Sequence, residues 1–317
     1  MLGLFGWFVL GLVLLVLGAD SFVKGAGGIA LKLGIRPFVV GMVLVGFGTS
    51  APELAVNMTA AYQGRYDLAI GNVVGSNIAN IGLILGLIAL FRPLAVQMRL
   101  LRVEVPLLIG IGLVLWLLCL DGRIGRVDGI LLLAGFVALM VFVARGAKHE
   151  PSLVQDALAE TAETRSEWWR SALRTVVGLG LLLYASTLMV ESAVGMATIW
   201  GMSELIVGLT VVAIGTSLPE LAASGIAAWR GHSDIAVGNV VGSCLFNILL
   251  ILGATASVHP LLVSKSMLWV ELPAMIAFSL VLYPMVRGDL AIKRYEGGIL
   301  FAAFVAFMAW QLHIALT

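Results

Sequence analysis

Two glutamates sit in apolar surroundings 167 residues apart. Glu53 closes the run Gly-Thr-Ser-Ala-Pro-Glu and Glu220 closes Gly-Thr-Ser-Leu-Pro-Glu. Thr49 precedes Glu53 by four residues, so the two share a helical face with Ser50 beside them. Thr216, Ser217 and Glu220 repeat the pattern. Pro52 and Pro219 are expected helix breaks. Proline has no N–H to give, so each releases a main-chain carbonyl, that of Gly48 or Gly215. A second wall is expected from Asn72, Ser76 and Asn80, spaced by four, and from Asn239, Ser243 and Asn247 in the other copy. The outcome is a set of hard oxygen donors: carboxylate, hydroxyl, amide and main-chain carbonyl. Asn72 and Asn239 serve equally well as bonds between helices, and Gly71, Gly75, Gly238 and Gly242 as close-packing positions. Asn77 aligns with Cys244, an asymmetry that speaks against a ligand role for either.

Two buried carboxylates need a counter-charge. At about 6 Å and an effective dielectric near 20 they repel by roughly 3 kcal/mol, and each carries a further cost at membrane depth. No lysine or arginine lies in the central turns around them. A divalent cation, monovalent cations or protons would each neutralise the pair. Calcium accepts six to eight flexible oxygen ligands, whereas magnesium demands a rigid octahedron and keeps its waters. Sodium suits one carboxylate with hydroxyl and carbonyl oxygens. No histidine or thiolate cluster offers itself to zinc or copper. A site that can be neutralised in alternative ways meets the requirement for exchange. No Ser–His or Ser–Lys dyad and no HExxH motif is present, so an enzyme is not expected.

The elements that must position these residues are apolar helices. Of 317 residues, 61% are hydrophobic and 12% charged, about half the charge of a soluble domain. Ten spans are expected: 3–23, 36–62, 67–91, 103–120, 127–145, 171–200, 203–229, 234–257, 267–286 and 296–316. The stretch 41–86 aligns without a gap to 208–253, with about 26 identities in 46 positions. Val-Glu-Val-Pro at 103–106 likewise returns as Val-Glu-Leu-Pro at 270–273. Glu104 and Glu271 read as carboxylates at helix N-termini. The chain therefore divides into a first five-helix repeat (1–145), a cytoplasmic linker (146–170) that includes Trp168 and Trp169, and a second five-helix repeat (171–317). An odd number of spans per copy inverts the second copy. Fifteen lysines and arginines fall on one side and four on the other, which places both termini outside. The fold expected is an all-α membrane protein of ten transmembrane helices in two inverted repeats. Cys119 and Cys244 are expected as small buried side chains.

The motifs GTSAPE with GNVVGSNIAN, and GTSLPE with GNVVGSCLFN, resemble the sodium/calcium exchanger family of the calcium/cation antiporter superfamily, in particular its compact prokaryotic members. The resemblance covers essentially the whole chain. It implies a multi-pass antiporter of the plasma (inner) membrane exchanging calcium for sodium by alternating access. A calcium/proton antiporter using the same glutamates is the alternative. It implies calcium bound by Glu53 and Glu220 with the carbonyls of Thr49 and Thr216. It implies one sodium site from the Ala213 carbonyl, Ser217, Glu220 and Ser76, and another from the Gly46 carbonyl, Ser50, Glu53 and Ser243. Asn80 and Asn247 would line the middle, where some family members carry an aspartate. Spans one and six would slide against the rest. The partners implied are calcium, sodium and membrane lipid, with no nucleic acid, no cofactor beyond the transported ions, and a monomeric chain.

Overall fold

The computed structural model describes residues 2–33, 37–146, 168–200 and 213–316. Twelve helices carry the architecture. These are α1 (Leu2–Leu33), α2 (37–49), α3 (Ala51–Tyr62), α4 (Tyr66–Phe91), α5 (Leu100–Asp121), α6 (Arg126–Gly146), α7 (Trp168–Ile199), α8 (Ala213–Thr216), α9 (Leu218–Trp229), α10 (Ser233–Val258), α11 (Met267–Arg287) and α12 (Arg294–Leu316). Eight of them are long and apolar enough to cross a membrane, and lipid admits such segments because a helix satisfies its own backbone polar groups. The protein is an all-helical, multi-pass membrane protein. Of the expected spans, the second and seventh are interrupted rather than continuous. Residues 203–212 of the seventh, and 147–167 of the linker, lie outside the described residues.

The two most enclosed spans are α10, with 94% of its apolar window buried, and α4, with 78%. They form the centre. α2 packs on α10, α3 on α4 and α9 on α10; α12 covers the distal half of α4, and α6 that of α10. Two short antiparallel pairs tie the loops of one half to those of the other: β1 (Leu94–Ala95) with β4 (Ala291–Ile292), and β2 (Arg123–Ile124) with β3 (Leu261–Leu262). Both cysteines are free and buried, as expected.

Three boundaries differ from expectation. α1 runs on through Lys24 and the following glycines to Leu33, although a charge and a glycine run read as a stop. It continues because it lies along α7. A Cβ at Gly178 would meet the Phe22 main-chain N at 2.4 Å, so glycine there permits backbone contact between the two helices. At 32 residues each, α1 and α7 are about 48 Å long and must tilt to fit an apolar layer of about 30 Å. α7 begins at Trp168, so Trp168 to Arg170 belong to the helix rather than the linker, with Arg170 stacked on the Trp169 ring. Glu104 is inside α5 rather than at its start. It ends a π-helical turn, Leu100–Glu104, just before Pro106, and is paired with Arg99 at 2.7 Å. Arg99, rather than a helix terminus, supplies its positive partner.

Candidate cation site

The site forms where two helices break. α2 ends at Thr49 and α3 begins at Ala51, with Ser50 between them at φ −84°, ψ 3°. In the other half α8 ends at Thr216 and α9 begins at Leu218, with Ser217 at φ −91°, ψ 5°. Pro52 and Pro219 therefore occupy the first turn of a new helix, where a missing N–H costs nothing. Each proline starts a helix instead of bending one. Glu53 and Glu220 then lie in the first turn, where the positive end of the helix dipole favours an anion. The carbonyl of Gly215, expected to be released by Pro219, accepts a hydrogen bond from Ser186 Oγ of α7 at 2.9 Å.

Glu53 and Glu220 are each 2% exposed and lie close enough to repel one another. Neither forms an ion pair among the described residues. The halves interlock around them. Ser50 Oγ of the first half has its one proton within reach of either Glu220 Oε1 (3.5 Å) or Ser243 Oγ (3.2 Å) of the second. The Thr49 hydroxyl stands 3.1 Å from the Val45 carbonyl and 3.3 Å from Asn239 Oδ1. Gly46 packs against the same stretch, its Cβ position 3.3 Å from the Ser243 main-chain N. Ser76 and Ser217 are buried nearby in sequence on α4 and between α8 and α9. The side chain of Ala213 lies outside the described residues. Thr216 is half-buried.

Asn72 and Asn239 act between helices. Asn72 Nδ2 donates to Asn57 Oδ1 at 2.9 Å and to the Glu53 carbonyl at 3.4 Å. Asn239 Nδ2 donates to Ser224 Oγ at 2.8 Å and to the Glu220 carbonyl at 3.4 Å. Both hold the glutamate-bearing turn from behind. Asn57 and Ser224 were not anticipated, yet each stands four residues after its glutamate, and the two are 167 apart; that double coincidence was legible in the sequence.

Four oxygens define what the site lacks from protein alone. Glu53 Oε2, Glu220 Oε2, Asn80 Oδ1 and Asn247 Oδ1 are buried and without a hydrogen-bond partner. Buried polar atoms are normally satisfied. All four are acceptors, in two pairs related by the 167-residue offset, so the group that satisfies them is a donor or a cation. Asn80 and Asn247 each open a π-helical turn, Asn80–Leu85 and Asn247–Leu252, a distortion that recurs at functional positions. Among the described residues no three His, Cys, Asp or Glu side chains gather, so the donor set is two carboxylates with neutral oxygens, suited to a hard cation. A cavity of about 400 Å³ beside α4 reaches Asn72 and Ser76 and is lined also by Asp67, Glu271 and Gln311.

Comparison with known proteins agrees with this geometry. The profile of the family described as "Sodium/calcium exchanger protein" matches residues 3–145 and 170–313. The inner membrane protein YrbG of Escherichia coli is 40% identical over 80% of this chain and 79% of its own length. The sodium/calcium exchanger MaX1 of Methanosarcina acetivorans is 33% identical over 96% of this chain and 97% of its own. A solved structure of the sodium-calcium exchanger NCX_Mj, soaked with Na+ and Sr2+, superposes with a TM-score of 0.84 at 30% identity, covering 96% of this chain and 97% of that one.

Proposed function

The chain belongs to the sodium/calcium exchanger family, and on that premise we propose that it exchanges Ca2+ for Na+ across its membrane by alternating access. The observation that carries the proposal is the set of four unpartnered oxygens on Glu53, Glu220, Asn80 and Asn247. Ca2+ binds between the two glutamates, with the carbonyls of Thr49 and Thr216 where the helices break. Na+ binds on either side of it. One Na+ site uses the Gly46 carbonyl, Ser50, Glu53 and Ser243, and the contact of Ser50 with Ser243 supports that grouping. The other uses the Ala213 carbonyl, Ser217, Glu220 and Ser76. One doubly charged ion or separate singly charged ions offset the same pair of carboxylates, so binding of one displaces the other. The two halves are inverted copies, both termini face outside, and the tilted α1–α7 pair slides against the remaining helices to open the site to each side in turn.

The test is 45Ca2+ flux in proteoliposomes with a sodium gradient or a proton gradient imposed separately. An outward sodium gradient should drive saturable uptake, and Glu53→Gln and Glu220→Gln should each abolish it. Uptake driven by the proton gradient and indifferent to sodium would replace Na+ by H+ as the counter-ion. Normal calcium exchange in either variant would overturn the site.

A further inference from the structure

We propose that Asn77, which no binding scheme above uses, sets the polarity of the Asn247 amide and so decides that oxygen rather than nitrogen faces the cation. The inference rests on the cation site proposed above. Asn77 on α4 and Cys244 on α10 hold matching positions in the two copies, 167 residues apart, and they meet each other. Both are buried, at 1% and 0% exposure. Asn77 Nδ2 stands 3.2 Å from the Cys244 main-chain carbonyl and 3.5 Å from Met275 Sδ.

A main-chain carbonyl only accepts and a thioether only accepts. The amide nitrogen of Asn77 must therefore be the atom on that side, which turns its Oδ1 the other way. That oxygen accepts from Asn247 Nδ2 at 3.0 Å. Asn247 thus has no choice of flip either: its nitrogen is committed to Asn77 and its Oδ1 points away, buried and unpartnered. A single invariable acceptor, the backbone at residue 244, fixes the direction of two amides in series. Without the chain of bonds, the Asn247 amide would present either face to the cation, and an NH2 group there repels it.

The other copy has no such chain of hydrogen bonds, because a thiol stands where Asn77 would. Asn80 has the Cys244 thiol as its neighbour, and its Oδ1 is likewise bare. Cys244 Sγ in turn is 3.9 Å from the Asn77 carbonyl. Sulfur is a weak acceptor and a weak donor, so Asn80 is held less firmly than Asn247. The asymmetry that argued against Asn77 and Cys244 as ligands marks them as the supports of two ligands.

The test is a double-mutant cycle read by 45Ca2+ exchange in proteoliposomes, with thermal unfolding of the calcium-free protein as a control for folding. N77L should raise the KM for calcium about tenfold, the usual scale for loss of an orienting partner behind a metal ligand, with a much smaller change in maximal rate. In the N247D background the effect should vanish or reverse. A carboxylate offers an acceptor oxygen on both sides and has no polarity to set, and Asn77 Oδ1 would repel it. An equal rise in KM from N77L in both backgrounds would reduce Asn77 to a packing residue, and no rise in either would overturn the proposal outright. If N77L does not fold, N77S, whose hydroxyl is too short to bridge to Asn247, is read in the same way. Glu53→Gln run alongside separates the two levels. Exchange lost in that variant but untouched by N77L removes the positioning role alone, whereas exchange retained in it removes the cation site and this inference with it.

Discussion

Replacing Glu53 by glutamine should stabilise the calcium-free protein while abolishing its response to calcium. Glu53 and Glu220 are each 2% exposed, repel one another and have no cationic side chain paired with them among the described residues. At about 6 Å and an effective dielectric near 20, that repulsion is roughly 3 kcal/mol. A neutral amide removes it, together with the cost of burying one charge. At about 2–4 °C per kcal/mol for a large domain, relief of the repulsion alone should make the calcium-free variant melt roughly 6–12 °C above the wild type. Calcium should act in the opposite order. At a hundredfold excess over its dissociation constant, a ligand stabilises its protein by about 2.7 kcal/mol. The wild type should therefore gain several degrees on calcium addition, and Glu53→Gln should gain none. The assay is thermal unfolding in detergent, with chelator or with millimolar CaCl2. A variant that melts at or below the wild type in chelator would show that the carboxylates do not strain the empty site. One that keeps the calcium shift would show that Glu53 is not a ligand.

Three further predictions concern the surroundings of the site. Ser186→Ala removes the donor that satisfies the Gly215 carbonyl on the neighbouring helix, and leaving a buried carbonyl unpaired should cost about 1–3 kcal/mol, measured as a lower unfolding temperature. Arg99→Gln leaves the 2%-exposed carboxylate of Glu104 without its ion pair and should cost about 3–5 kcal/mol. Ser266→Ala, at the matching position beside the more open Glu271, should cost only about 1 kcal/mol; equal costs would contradict the assignment.

Most of the architecture was legible because lipid leaves few options. Long apolar segments must be helices, and the 167-residue offset locates matching residues without knowledge of contacts. Thus Asn80 and Asn247, Ser50 and Ser217, Ser76 and Ser243, and the two glutamates are readable from spacing. What spacing withholds is the identity of the facing residue. Periodicity shows that Ser186 lies on a helix, not that it meets the carbonyl that Pro219 releases. It shows Glu104 ahead of a proline, not the π-helical turn that carries it inside the helix to Arg99. α1 reads as ending near Lys24 because charge and glycine ordinarily stop an apolar helix; the close approach of Phe22 to Gly178 gives those residues a packing role instead.

The differences between the two copies are not spread evenly. Every side chain proposed for the cation site is the same in both: threonine at 49 and 216, serine at 50 and 217, glutamate at 53 and 220, serine at 76 and 243, asparagine at 80 and 247. Asn72 and Asn239 behind them also match, but other supports differ. Asn57 stands against Ser224, Asn77 against Cys244, Arg99 against Ser266, and Ala19 against Ser186. An exchanger needs its two facing states within a few kcal/mol of each other, so that ions can shift the balance. Identical donors in inverted copies, as proposed, would make those states nearly equal in energy at the ion itself. Any bias towards one side must then come from the supports. Ser186 is such a support, because it joins α7 to the broken helix in the second half, and the first half has only a methyl group at the matching Ala19. One hydrogen bond of that kind is worth about 0.5–1.5 kcal/mol, large enough to favour one facing state severalfold and small enough for an ion to reverse it.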